Sequence, residues 1–268
     1  MKLLKEWESS QAHVGKRVCI YDDMPSTNSH CLELTDDPSN RGLVVIARSQ
    51  SAGRGQHGRH WLSEPGMGLW MSTLVGARPE LTRPVILTAW AAVSVCEVIA
   101  NVTELDASIK WPNDVLIDDR KVCGILIEQR AKAYRKEQTH PVVVGIGWNL
   151  NQTQGMFDES NLPFAGSLYT LTGRSYGLES MARELISVLD RNYGQLAAGH
   201  LELLERQWSD RLGLVGRSVQ VEGNDQTFNG RLLELSFDGI MIESENPSIP
   251  GSIIAPENVR HIWKAPTL

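Results

Sequence analysis

The sequence predicts a mixed α/β domain over residues 1–213 followed by a small all-β unit over residues 214–268. Three observations predict it. The first two thirds mix apolar runs of strand length with longer helical patterns. A glycine-containing break falls near Gly213 to Gly216. Beyond it come short β-like runs, SVQVEG, RLLELSF, GIMIES and SIIAP, divided by Gly, Asn, Asp and Pro, the texture of a small barrel of about 50 residues.

Arg17 to Tyr21 reads as a strand, and Ser26 or Thr27 as the N-cap of a helix over Asn28 to Leu34. Gly42 to Ala47 (GLVVIA) is continuously apolar, as suits a strand covered on both faces. A glycine-rich segment, Ala52 to Gly58, precedes a returning strand at Gly68 to Val75. Pro84 to Val102, with Pro in its first turn, is the clearest helix. Ser108 to Ile117 and Lys121 to Gln129 are apolar runs joined by Asp118-Asp119-Arg120, a hairpin pattern. Pro141 to Gly147 is another strand, and Glu179 to Leu212 is helical, with Leu185, Val188, Leu189, Leu196, Leu201, Leu204 and Trp208 on inner faces. For Trp70, Trp90, Trp148, Trp208 and Trp263, core packing is the default.

Composition limits the function classes. A net charge of −6 disfavours bulk binding of phosphate backbones. No uninterrupted apolar run approaches the roughly 20 residues that span a bilayer, and charges break up the N-terminal MKLLKEWESS as a signal sequence. Cys19, Cys31, Cys96 and Cys123 are widely spaced with no CxxC pair, which reads as buried thiols in a reducing cytoplasm rather than a disulfide framework or zinc site.

Gly53-Arg54-Gly55-Gln56-His57-Gly58 satisfies GxGxxG, yet the following RHWLSEPGMGLW cannot supply the helix that a dinucleotide-binding turn requires. The HRD and DFG elements of a protein kinase are also missing. Arg54 and Arg59 in a backbone-exposing loop suit carboxylate and phosphate oxygens, so the segment reads as an anion-binding flap. His57 and His60 lack further partners in the sequence, and no protein-held metal is expected.

Ser26-Thr27-Asn28, Gln50, GRGQHGRHW from Gly53 to Trp61, KWPND from Lys110 to Asp114, DRKVCGILIE from Asp119 to Glu128, and GIGWNLN from Gly145 to Asn151 occur in order. In these the chain resembles the biotin–protein ligase family over nearly its whole length. The resemblance implies an α+β fold: a mixed β-sheet with flanking helices, related to the class II aminoacyl-tRNA synthetase core, plus a small C-terminal SH3-like barrel. It implies that biotin's carboxylate attacks the α-phosphorus of ATP, with magnesium shielding the phosphates. The biotinyl-5′-AMP so formed would then give its biotinyl group to a lysine of a biotin carboxyl carrier domain.

It also implies residue roles. Ser26, Thr27, Asn28, Gln50, Gly53, Arg54, Gly55, Gln56 and Lys121 match biotin-binding positions. Arg59, Trp61, Asn113 and Asn149 match nucleotide-binding ones, with Trp61 stacking on adenine and Asn149 contacting it. Arg54 and Lys121 match the catalytic cations. Gln56 departs from the family, which commonly has arginine there. Only 25 residues precede Ser26, too few for the winged-helix DNA-binding domain of some members. The expectation is therefore a monofunctional cytoplasmic ligase, with a homodimer left open. Lipoate or octanoate transfer on the same fold, a non-catalytic biotin-binding module and a DNA-binding regulator are the alternatives.

Overall fold

The structure, a computed structural model, describes residues 1–130, 140–224, 226–244 and 251–265. An eight-stranded mixed sheet dominates it, in the order β1-β2-β3-β4-β8-β7-β6-β5. Its strands are β1 (Leu3–Glu8), β2 (Arg17–Met24), β3 (Leu43–Gln50), β4 (Gly68–Ala77), β5 (Ser108–Lys110), β6 (Asp114–Ile117), β7 (Arg120–Glu128) and β8 (His140–Asn149). Only β2 and β3 run parallel, joined through α1 (Thr27–Glu33); the other neighbours are antiparallel.

Alternation along β3 shows why GLVVIA is apolar throughout. Val44 and Ile46 join the main core, while Leu43, Val45 and Ala47 join a second cluster with Cys31 of α1. Helix α2 (Pro84–Thr103) and helix α5 (Leu178–Ala197) cover the first face; α1 covers the other. By length and composition α2 could cross a membrane. Here it is a core helix, buried from Ile86 to Ile99 on nearly every side, with Trp90 donating through its indole N–H to the Leu189 carbonyl (3.2 Å). Helix α3 (Gln154–Glu159) and helix α4 (Leu168–Thr172) lie between β8 and α5.

Several sequence expectations are refined. The run Ser108 to Ile117 is two strands, because Trp111 to Asn113 turn back on themselves and pair β5 with β6. Asp118 and Asp119 both take positive φ (49° and 61°) between paired Ile117 and Arg120, a two-residue turn that matches the twist of the flanking strands. The helical stretch after Glu179 divides at Gly199 (φ 98°) into α5 and α6 (Leu201–Leu212). Strand β1, with five of its six residues exposed, carried no apolar signal.

The C-terminal strands are β9 (Ser218–Gly223), β10 (Thr227–Leu235), β11 (Ile240–Ser244), β12 (Ser252–Ile254) and β13 (Val259–Lys264). They form a five-stranded antiparallel sheet, β12-β11-β10-β9-β13, rather than the expected closed barrel, because among the described residues β12 and β13 are its unpaired edges. Arg83, ahead of α2, binds Glu257 (2.7 Å), Asp238 (3.0 Å) and the Phe237 carbonyl. The Trp208 and Phe237 rings stack at 5.1 Å, and Trp111 donates to the Val259 carbonyl (3.2 Å). One apolar cluster therefore runs from the large sheet into the small one.

Candidate active site

The α1 side of β8 organises the site. Gly145, Gly147 and Asn149 follow one another on that face at the two-residue period of a strand. A side chain at Gly145 would collide with the Asn28 amide. Gly147 pairs with Gly124 of β7, and the Trp61 indole lies across both. A cavity of about 570 Å³ follows this row of residues.

At its Gly145 end sits a buried polar cluster. Ser26 caps α1, accepting from the Ser29 amide (3.4 Å). Thr27 donates to Gln50 Oε1 through its backbone N–H (2.8 Å) and hydroxyl (3.2 Å), and Gln50 Nε2 donates to Ser63 Oγ (2.9 Å). Ser72, in the mostly apolar β4, donates to Asn28 Oδ1 (2.5 Å) and lies 2.6 Å from Thr27 Oγ1. Asn28 Nδ2 donates to Glu128 Oε2 (2.9 Å) and the Leu126 carbonyl (3.4 Å). The Asn28 amide is thus engaged at both ends by protein, and it orders the pocket wall.

The glycine loop folds into a small hairpin beside this cluster. Gly55 donates to the Arg59 carbonyl (2.8 Å), Trp61 to the Gly53 carbonyl (2.9 Å), and Arg54 bridges to His60. Gly53 is needed because a Cβ there would strike the Trp61 carbonyl oxygen. His57, at φ 56°, makes the reversal. Arg54 reaches back to Glu128 Oε1 (2.7 Å) and Ser29 Oγ (3.3 Å). Arg59 is exposed and Gln56 half-buried; both line the cavity, whereas Gly53 lies behind it.

Lys121 enters from the start of β7. Its ammonium pairs with Asp114 Oδ1 (2.7 Å) and stands 5.1 Å above the Trp61 ring centre. Its backbone is fixed by Phe164 and Gly166, which bond its N–H (2.8 Å) and carbonyl (2.9 Å). Asn113 donates to the Ile125 carbonyl (2.7 Å), tying the KWPND turn to β7. Asn149 is buried, donates to the Gly166 carbonyl (3.0 Å) and accepts from Gln152 Nε2 (2.9 Å). The fold therefore gathers Ser26, Thr27, Asn28 and Gln50 at one end of the cavity. Arg54, Trp61 and Lys121 stand along its middle, with Asn113 and Asn149 in its wall.

Four contributors escape the sequence reading. Glu128 stood inside a quoted motif without a role. Ser72 was signalled only by standing, with Thr73, inside a mostly apolar strand. Gln152 had no signal. Trp263, expected in the core, is 40% exposed, and its ring lies tilted 5.2 Å from that of His261 where β13 borders the cavity.

Residues 22–149 match the model of the Biotin/lipoate A/B protein ligase family. These residues form a domain of this family. Among its relatives is the bifunctional ligase/repressor BirA of Bacillus subtilis, 28% identical over 236 residues, or 88% of this chain and 72% of that one. The biotin–[acetyl-CoA-carboxylase] ligase of Mycobacterium tuberculosis is 32% identical over 189 residues, covering 68% of this chain and 65% of the relative. The biotin protein ligase from Aquifex aeolicus in complex with biotin and ATP superposes with a TM-score of 0.74 at 25% identity, covering 92% and 99% of the two chains. Within the family, the biotin ligases are thus the members it resembles in sequence and in fold.

Proposed function

We propose that this protein joins biotin to ATP as biotinyl-5′-AMP and then transfers the biotinyl group to a lysine of a biotin carboxyl carrier domain. One observation carries the reading. A single cavity of about 570 Å³ joins the polar cluster of Thr27 and Gln50 to an aromatic platform, Trp61, flanked by the cations Arg54 and Lys121. The relatives named above, with biotin and ATP bound in the Aquifex protein, support the same assignment.

Biotin's fused rings are apolar except for the ureido group. Ile125, Leu126 and Met71 in the wall suit the rings, and the polar cluster suits the ureido donors and acceptor. The reaction brings one anion, the biotin carboxylate, onto another, the α-phosphate. Arg54 and Lys121 offset that repulsion and stabilise the charge that develops as pyrophosphate leaves. Glu128 takes only part of the Arg54 fork, so guanidinium N–H groups remain for a ligand. Trp61 offers a flat face to the adenine, and the hairpin from Gly53 to Trp61 shields the anhydride from water.

Among the described residues no three His, Cys, Asp or Glu side chains group as a metal site. We therefore assign magnesium to the nucleotide's phosphates, where it would neutralise charge while keeping most of its water. Four buried free thiols support a cytoplasmic setting.

The test is the intact mass of a purified carrier domain incubated with the protein, ATP and biotin. The reading requires one biotinyl addition that depends on both small molecules and disappears when the acceptor lysine is replaced by arginine. Lipoyl or octanoyl addition in its place would transfer the assignment to the other branch of the family.

A further inference from the structure

We infer that Gln152 reads the base of the nucleotide, its Oε1 accepting a hydrogen bond from the exocyclic amine of adenine. The inference rests on the reading that this cavity takes ATP, and it assigns base selection to a residue beyond those matched by resemblance.

A chain of hydrogen bonds fixes the orientation. The Gly166 carbonyl accepts from Asn149 Nδ2 (3.0 Å), which turns Asn149 Oδ1 the other way. That oxygen accepts from Gln152 Nε2 (2.9 Å), which leaves one N–H of the amide and turns the Gln152 carbonyl oxygen away from Asn149 as the atom with no partner. Gln152 is 5% exposed and lines the cavity, yet its Oε1 has no donor among the described residues. Its backbone is held as well, because the fully buried Ser167 donates to the Gln152 carbonyl (2.7 Å). A buried, preorganised acceptor without a partner is costly in the free protein and gains most from a ligand N–H.

Chemistry selects the donor. Triphosphate oxygens are acceptors only. The ureido N–H groups of biotin belong at the Gly145 end, and Asn149 lies four strand residues further, roughly 13 Å along β8 at about 3.3 Å per residue. Asn149 follows Gly147, on which Trp61 lies, so the neighbourhood of Gln152 is the edge of a base stacked on that indole. Adenine presents an amine where guanine presents a carbonyl, and a carbonyl facing Gln152 Oε1 would set two acceptors against each other.

The experiment is a cycle that deletes each partner in turn. ATP and purine riboside triphosphate, which lacks only the amine, are titrated calorimetrically into wild type, Gln152→Met and Gln152→Glu. Wild type should prefer ATP by about 10- to 100-fold, and Gln152→Met should shrink that preference to about twofold. Gln152→Glu, which keeps an acceptor, should retain it; a merely structural role would lower affinity for both nucleotides equally. Full retention of the preference by Gln152→Met, no preference in wild type, or no ATP binding at all would overturn the inference. Biotin-dependent exchange of pyrophosphate, run on the same wild-type sample, separates the two readings. Without exchange the ligase reading falls, while the titrations still decide the role of Gln152.

Discussion

Gly124 and Gly147 face each other across β7 and β8, and the Trp61 indole occupies the space their side chains would fill. A Cβ on Gly124 would come within 2.9 Å of the ring, and one on Gly147 within 2.6 Å. Two strand glycines, individually unfavourable for a sheet, together make a floor flat enough for an indole. Gly147→Ala should displace Trp61 and raise the KM for ATP about tenfold or more, while thermal stability falls by only a few degrees. Nucleotide titration beside a melting curve checks this. Unchanged ATP affinity would separate Trp61 from the nucleotide.

The cation at Lys121 is predicted to act on the developing phosphate charge. Lys121→Ala should cut biotin-dependent adenylation by about 10² to 10³ without loss of fold, since its ion pair with Asp114 is partly exposed. Single-turnover formation of biotinyl-5′-AMP is the measurement. Adenylation at the wild-type rate contradicts the assigned role.

Glu128 ties the flap to the pocket by holding Arg54 with one carboxylate oxygen and Asn28 with the other. Glu128→Gln should release Arg54, so trypsin should cut after Arg54 and Arg59 several-fold faster in the absence of ligand. Arg54→Ala should weaken biotin binding and let the adenylate escape into solution. Because Glu128 acts through Arg54, adding Glu128→Gln to Arg54→Ala should cost little further biotin affinity. Fully additive losses would make Glu128 a structural residue only.

The thiols set an alkaline limit on stability. Burial, then the neighbouring Glu6 carboxylate, push Cys19 up to about 11, and burial pushes Cys96 up to about 12. Burial raises Cys31 and Cys123 as well. In the unfolded chain these thiols ionise near pH 8.5. Their contribution is complete below that pH and is lost as pH rises through the folded value, about 11 for Cys19. The denaturant midpoint should therefore drop steadily between about pH 8.5 and 11, and Cys19→Ala should flatten part of the fall. A midpoint constant over that range would contradict burial of the protonated thiols.

Periodicity and turn chemistry made much of the fold legible. GLVVIA announced a strand covered on both faces, and Val44 and Val45 do enter different clusters. Asp118 and Asp119 marked the hairpin. The exposed edge strand β1 and the reversal at Trp111 to Asn113 stayed hidden, because neither changes an apolar pattern that single-sequence reading can follow. The open edges of the C-terminal sheet depend on long-range pairing in the same way.

At the site, the residue types were legible and their partners were not. Arg54 and Lys121 could be recognised as cations for anions, but their counter-charges, Glu128 and Asp114, are contacts that exist only after folding. Asn149 was read as a direct contact to the base. Its amide bonds Gly166 and Gln152 and keeps one Nδ2 hydrogen unused, and that arrangement also directs attention to Gln152.

The most direct test of the central claim is exchange of labelled pyrophosphate into ATP, with no acceptor protein present and with biotin, lipoate or octanoate supplied separately. The account predicts exchange with biotin, none with the other two, and loss of exchange in Lys121→Ala. Folded protein that binds biotin or ATP but exchanges with none of the three would contradict it, leaving a binding module in place of a ligase.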